Sequence, residues 1–341
     1  MSKKAAGVSN QGLADLRGLA LYPKRRCAMI QLPAIRAKTP TPMTETKDFL
    51  STLRRGGILL DGGMGSSLLK LGLKSSELAL ACLEHPSLVE QVHRGFLQAG
   101  SDWIQTNSFG ANRLALESAG SGVSVGALNR TAAQLARGQA RAHGSGWVAG
   151  NVGPAAAWAE PSQPLSERVL AEVYEEQVLG LLQGGVDLFS LETFGSSAEA
   201  CLAIESVRRA SDLPILASLT FIEEGGEFQS LTGEPLLQAL LHIQEAGADG
   251  VGVNCAAGSR QTLACIETLV GKLQVPLSAK PNAGLPIKDA AGVAYAQEPQ
   301  QFARDMLAAL ELGVCAVGGC CGADAQFIQA LRVAMDESRA S

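Results

Sequence analysis

Three cysteines carry the strongest chemical signal in this chain. Cys255 ends a GVNC segment, and Cys320 and Cys321 lie side by side in GGCCG, Gly318 to Gly322. Zinc favours thiolate sulfur at about 2.3 Å, and a catalytic zinc site takes three protein ligands and keeps a fourth position for substrate. Adjacent cysteines project to opposite sides of an extended strand, so both reach one ion only where the backbone kinks. Gly318, Gly319 and Gly322 give it that freedom. The spacing is not a CxxC pairing, so core or redox cysteines and a vicinal Cys320–Cys321 disulfide stay open as readings beside zinc. Histidine ligands are not expected, because His85, His93, His143 and His242 fall on or beside helical patterns where a solvated surface position is the default. Sulfur is then the metal chemistry on offer. Cys27, Cys82, Cys201, Cys265 and Cys315 sit singly in apolar or helical surroundings and read as small buried hydrophobes.

Weaker polar signals accompany the cysteines. In DGGMGSS, Asp61 to Ser67, the paired Gly62 and Gly63 let backbone approach a small ligand, and Asp61 can bind an ammonium or accept amide hydrogens from its own loop. Glu192 in LETF is placed to pair with an amino group or with a neighbouring loop. TNSFGAN, Thr106 to Asn112, and KPNAGLP, Lys280 to Pro286, add amides and hydroxyls. Asn107 and Asn282 are the polar groups of interest there, against the ordinary role of a loop asparagine in capping its own turn.

The elements that must position these groups are legible as a repeat. From residue 57 onward short apolar runs alternate with helical patterns, which is the signature of βα units and a parallel sheet. Eight strands are predicted: Gly57–Asp61, Asp102–Asn107, Trp147–Val152, Asp187–Thr193, Pro214–Thr220, Asp249–Cys255, Pro276–Asn282 and Cys315–Cys321. The helix after the third shows the stripe Leu170, Val173, Tyr174, Val178, Leu181 and Leu182, with Glu172, Glu175 and Glu176 off it. Gly185, Gly247 and Gly313 each close a helix ahead of a strand, where a left-handed cap needs no Cβ. One uninterrupted series of eight units predicts a single-domain α/β fold, a (β/α)8 TIM barrel, over residues 43–341. Such a barrel carries its ligands at the C-terminal ends of its strands. Every polar motif above falls there.

Composition narrows the partners. A hydrophobic fraction of 46% over 341 residues supports one large core. A net charge of -5 and 4% aromatics offer neither a basic field nor stacking platforms, so nucleic acid is not an expected partner. No apolar run is long enough to span a membrane. With no secretory pattern, a reducing cytoplasmic setting is expected. Residues 1–42 hold eight Lys or Arg against one acid, Asp15, and show no sustained periodicity, so a disordered N-terminal extension is expected, read as an extended gene start in preference to a targeting peptide.

Taken in order, DGGMG, TNSFGAN, GNVGP, LETF, SLTG, GVNC, PNAGLP and GGCCG resemble the homocysteine S-methyltransferase family, from about residue 50 to about 337. DGGMG, PNAGLP and GGCCG are most similar to the homocysteine domain of the cobalamin-dependent methionine synthase branch. The resemblance implies zinc on Cys255, Cys320 and Cys321 as the catalytic centre, with Asn282 as a displaceable fourth ligand. It implies Glu192 as the partner of the homocysteine amino group, with Asp61, Gly62 and Gly63 lining the amino-acid end of the pocket and Asn107 among the substrate contacts. The implied reaction is methylation of the homocysteine thiol to methionine by a small donor such as S-methylmethionine. The alternative is a homocysteine-binding subunit that acts only with a separate methylated corrinoid protein.

Two departures bear on the donor. Gly110 follows Phe109 and no tryptophan lies between Asp61 and Trp103, so the aromatic cage of the animal betaine enzymes is not expected. GGCCG continues as ADAQF, Ala323 to Phe327, where the methionine synthase branch has Thr-Thr-Pro, which alters ligand contacts at the start of the last helix.

Overall fold

Strands rich in Val, Ile, Leu and Ala, covered on both faces, form a ring in the computed structural model, which describes residues 43–159, 165–255, 258–289 and 292–340. The strands are β1 (Ile58–Leu59), β2 (Trp103–Gln105), β3 (Trp147–Val152), β4 (Leu188–Phe194), β5 (Ile215–Leu219), β6 (Gly250–Asn254), β7 (Leu277–Lys280) and β8 (Ala316–Val317). All pair in parallel in the spatial order β1-β8-β7-β6-β5-β4-β3-β2. The seam between β1 and β2 is sewn by side chains as well as backbone. Asp102 N–H donates to Leu59 O at 2.7 Å, Asp102 Oδ2 accepts from Leu59 N–H at 2.6 Å, and Asp61 Oδ2 accepts from Gln105 N–H at 2.6 Å. The expected (β/α)8 barrel is therefore observed. The expectation for residues 1–42 lies outside the described residues.

A sequence device repeats at the N-terminal end of the barrel. Gly100, Gly185 and Gly247 each adopt positive φ (99°, 87° and 103°) as a helix ends, and an aspartate follows two residues later at the start of a strand. Asp102, Asp187 and Asp249 accept an N–H near the start of the neighbouring strand, from Leu59, Val148 and Ile215. Each also pairs with an arginine, Arg332 at 2.9 Å, Arg137 at 2.5 Å and Arg208 at 2.5 Å, which bonds the carbonyl of the same glycine. Each clasp thus fixes a helix end to two strands. Below them α1 (Met43–Arg55) closes the barrel floor. Phe49 and Leu53 pack against Ile58, Leu60, Trp103 and Leu216, and Phe49 lies parallel to Trp103 at 6.2 Å. Burying two such side chains contributes about 1.5–3 kcal/mol each.

The predicted helical stripe is buried as expected over Glu167–Gly184. Glu175, off the stripe, is also drawn inward by Arg209 at 2.7 Å. Two antiparallel hairpins rise from the C-terminal ends of β5 and β7, Phe221–Glu224 with Glu227–Ser230 and Pro286–Asp289 with Gly292–Tyr295. The first turns at Gly225 and Gly226, both at positive φ, which the sequence reading did not single out.

Candidate active site at the sulfur cluster

The Cys255, Cys320 and Cys321 sulfurs lie within 4.8 Å of one another, and Cys255 Sγ is 3.7 Å from Cys321 Sγ. Tetrahedral zinc with bonds of about 2.3 Å requires sulfurs about 3.8 Å apart. The donor set and its spacing fit that ion. All seven described cysteines carry free sulfurs.

Although β8 ends at Val317, the chain runs on between the segments that follow β1 and β7, with Gly318 N–H on Ala279 O, Gly319 N–H on Asp61 O and Cys320 N–H on Pro281 O. Gly322 then turns at φ 81°, and a Cβ there would stand 2.3 Å from the Tyr295 ring. Cys255 itself adopts φ 54°, an uncommon conformation for a residue with a side chain. Asn282 stitches the two cysteine loops: its Oδ1 accepts from Cys321 N–H at 3.0 Å and its Nδ2 donates to Cys255 O at 3.4 Å.

Beside the sulfurs sits a buried charge cluster. Lys280 Nζ lies 3.2 Å from Asp61 Oδ1 and 3.4 Å from Glu192 Oε2, and it also donates to Gln105 Oε1. Burial alone would lower the Lys280 pKa, but Glu192 and Asp61 outweigh it and hold the ammonium charged. Burial raises the Asp61 carboxyl, opposed by Lys280 and by the Gln105 N–H. Glu192 Oε1 accepts from Asn151 Nδ2 at 2.7 Å.

The thiols form a donor chain. Cys255 is raised well above the ordinary thiol range by its hydrogen bonds to Cys320 and Cys321 and by burial. For Cys320 the bond from Cys255 pulls down, but donation to Cys321, burial and the Cys321 charge prevail and push it up to about 12. Cys321, which accepts from Cys255, Cys320 and the Tyr295 hydroxyl, is lowered. Three sulfurs drawn together, one of them eased toward its thiolate, suit a cation.

The sequence profile described as Homocysteine S-methyltransferase matches residues 58–335, most of the chain. This chain belongs to the homocysteine S-methyltransferase family. Methionine synthase from Mycobacterium leprae is 30% identical over 84% of this chain, which spans about a quarter (25%) of that protein. Betaine--homocysteine S-methyltransferase 1 from Mus musculus is 30% identical over 84% of this chain and 74% of its own length. The metallated form of the homocysteine methyltransferase MmuM from Escherichia coli superposes with TM-score 0.69 at 25% identity, covering 85% of this chain and 99% of that one.

Within this family member the remaining predicted residues fall as follows. Gly62 and Gly63 pack against protein: a Cβ on Gly62 would meet Ala323 O at 2.1 Å, and one on Gly63 would meet Cys320 O at 2.5 Å. Asn107 donates to Leu78 O at 3.0 Å and so fastens the end of the short turn Ser75–Glu77. His93 corrects the sequence reading, being fully buried with neither ring nitrogen hydrogen-bonded; burial lowers its pKa to about 3. Cys82, Cys201 and Cys265 are buried as expected, whereas Cys315 is half-buried. The sequence reading gave no role to Lys280, Asn151, Asn254 or Tyr295. Asn254 accepts from Thr193 N–H at 2.9 Å, donates to Thr193 Oγ1 at 2.7 Å and points Nδ2 at Cys320 Sγ, 3.9 Å away. Thr193 and Cys255 are the two non-glycine residues at positive φ among those described, and Asn254 adjoins Cys255 in the chain while hydrogen-bonding Thr193.

Proposed function

We propose that this chain transfers a methyl group to the thiol of homocysteine, giving methionine, with zinc held by Cys255, Cys320 and Cys321. The observation that carries the reading is the meeting of three sulfurs from two separate loops at the spacing such an ion needs. When bound, zinc makes an incoming thiol a thiolate at neutral pH, where a free one is mostly protonated. Asn254 and Tyr295 donate to the cysteine sulfurs and hold them in place. Asn282 orients both ligand loops, and its Oδ1 retains a second lone pair, which suits it to the role of displaceable ligand.

Glu192 offers the buried carboxylate for the substrate amino group, and Asp61 keeps Lys280 beside it. Gly62 and Gly63 shape the wall behind Cys320 that faces the amino-acid end, while Asn107 supports the rim. In the transfer the homocysteine sulfur forms a bond to the methyl carbon, and the bond from that carbon to the donor breaks with its electron pair leaving on the donor. Holding the two reactants in line removes much of the entropic barrier.

The donor is a small molecule such as S-methylmethionine. A second reading rests on the methionine synthases of which this chain spans a quarter: a homocysteine-binding unit served by a separate methylated corrinoid protein. The free thiols this chemistry needs belong to a reducing, cytoplasmic setting. Among the described residues no helix is long and apolar enough to cross a membrane. The test is zinc content under reducing conditions, followed by methionine formation across a panel of free donors and a methylcorrinoid protein. Stoichiometric zinc that Cys320→Ala abolishes, together with methionine from one donor class, supports the proposal; zinc-free protein that methylates nothing overturns it.

A further inference from the structure

Asn151 lies at the C-terminal end of β3 and is only 6% exposed. Its Nδ2 donates to Glu192 Oε1 at 2.7 Å, and because an ionised carboxylate only accepts, this contact fixes which way the amide faces. The amide oxygen is then left buried with no hydrogen-bond partner. A buried acceptor without a donor is destabilising, and here it stands beside a carboxylate.

The charges nearby leave room for one more cation. Asp61 and Glu192 are both buried, and among the described residues Lys280 is the one cation paired with either. The three hydrogens of its ammonium are taken by Asp61, Glu192 and Gln105, so none remains for Asn151. Two carboxylates against one ammonium leave one negative charge and one bare carbonyl side by side. A primary ammonium satisfies both at once; a methylene does neither.

We infer that Asn151 Oδ1 is a substrate contact that, with Glu192, seats the α-ammonium of the thiol substrate, and that Lys280 limits this seat to a single positive charge. The inference rests on reading the site as a homocysteine pocket. It makes Asn151 the residue that separates an aminothiol from the same thiol without its amino group, since a site built to hydrogen-bond an N–H group rejects analogues that lack one.

The test is calorimetric binding of L-homocysteine and of 4-mercaptobutanoic acid, which lacks the amino group, to the zinc-loaded full chain and to Asn151→Ala. The milder Asn151→Ser replaces it if the alanine variant does not fold. The expected result is preference for homocysteine in the unaltered protein and a loss of about 10-fold or more in homocysteine affinity in the variant. Affinity for 4-mercaptobutanoic acid and zinc content are expected to stay unchanged. Equal losses for both thiols, or no loss for either, overturn the inference. Binding of homocysteine without methyl transfer from any donor would remove the proposed reaction and leave the ammonium seat standing, whereas failure to bind either thiol would remove both.

Discussion

The Cys255 and Cys321 sulfurs stand 3.7 Å apart although 66 residues separate them in the chain. Their strands are not neighbours, because β7 runs between β6 and β8. Asn282, in the loop after β7, therefore acts as the spacer, bonding the backbone of both cysteines.

The metal-free thiols predict a proton count. Cys255 and Cys320 are raised and so protonated at neutral pH, while Cys321 is lowered. Metal displaces thiol protons, so zinc uptake near pH 7 is expected to release at least about two, those of Cys255 and Cys320. Raising the pH removes competing protons, so apparent zinc affinity is expected to climb by about 100-fold per pH unit in this range. Titrations in buffers of different ionisation enthalpy, repeated at several pH values, check both.

Tyr295 reaches the cluster from a hairpin, its hydroxyl on the Cys321 sulfur and its ring against Gly322. Tyr295→Phe keeps the ring and removes the donor, and is expected to weaken zinc binding by about 10-fold with the fold intact. Gly322→Ala is expected to cost more, because the new Cβ is strained at φ 81° and strikes the ring. Chelator competition against zinc measures both variants.

Asn254 is expected to matter for stability as well as for metal. Asn254→Leu leaves the Thr193 N–H without its buried acceptor and the Ser218 hydroxyl with only the longer contact to Leu191 O. About 1–3 kcal/mol is expected for the Thr193 N–H so stranded. A denaturant titration of the metal-free protein isolates this loss from any change in zinc affinity.

These residues also show how far the sequence could be read. The eight strands, the C-terminal location of the polar motifs and the three cysteines followed from apolar periodicity and from rare residue types at strand ends. Lys280 was hidden because a lysine at the end of an apolar strand gives no sign of two carboxylates brought to it by β1 and β4, more than 80 residues away. Asn151 and Asn254 were indistinguishable from turn asparagines until the packing showed which of their atoms had partners. The same limit applies to His93, whose helix offered no marker of how deeply that face would be buried.

His93 supplies a stability prediction of definite sign. Its pKa falls from 6.5 to about 3 on burial, so the folded protein holds it neutral while the unfolded chain takes up a proton. The resulting stability is present above pH 6.5 and is lost as pH falls toward 3, at up to about 1.4 kcal/mol per pH unit. Thermal melting at pH 8 and pH 5 is expected to show a smaller drop for His93→Leu than for the unaltered chain.

The central claim is that three protein sulfurs share one zinc and admit the substrate sulfur beside them, and X-ray absorption at the zinc edge tests it most directly. The zinc-loaded protein is expected to show three sulfur neighbours at about 2.3 Å, rising to four with saturating homocysteine. Fewer than three protein sulfurs, or a sulfur count that homocysteine leaves unchanged, would contradict it.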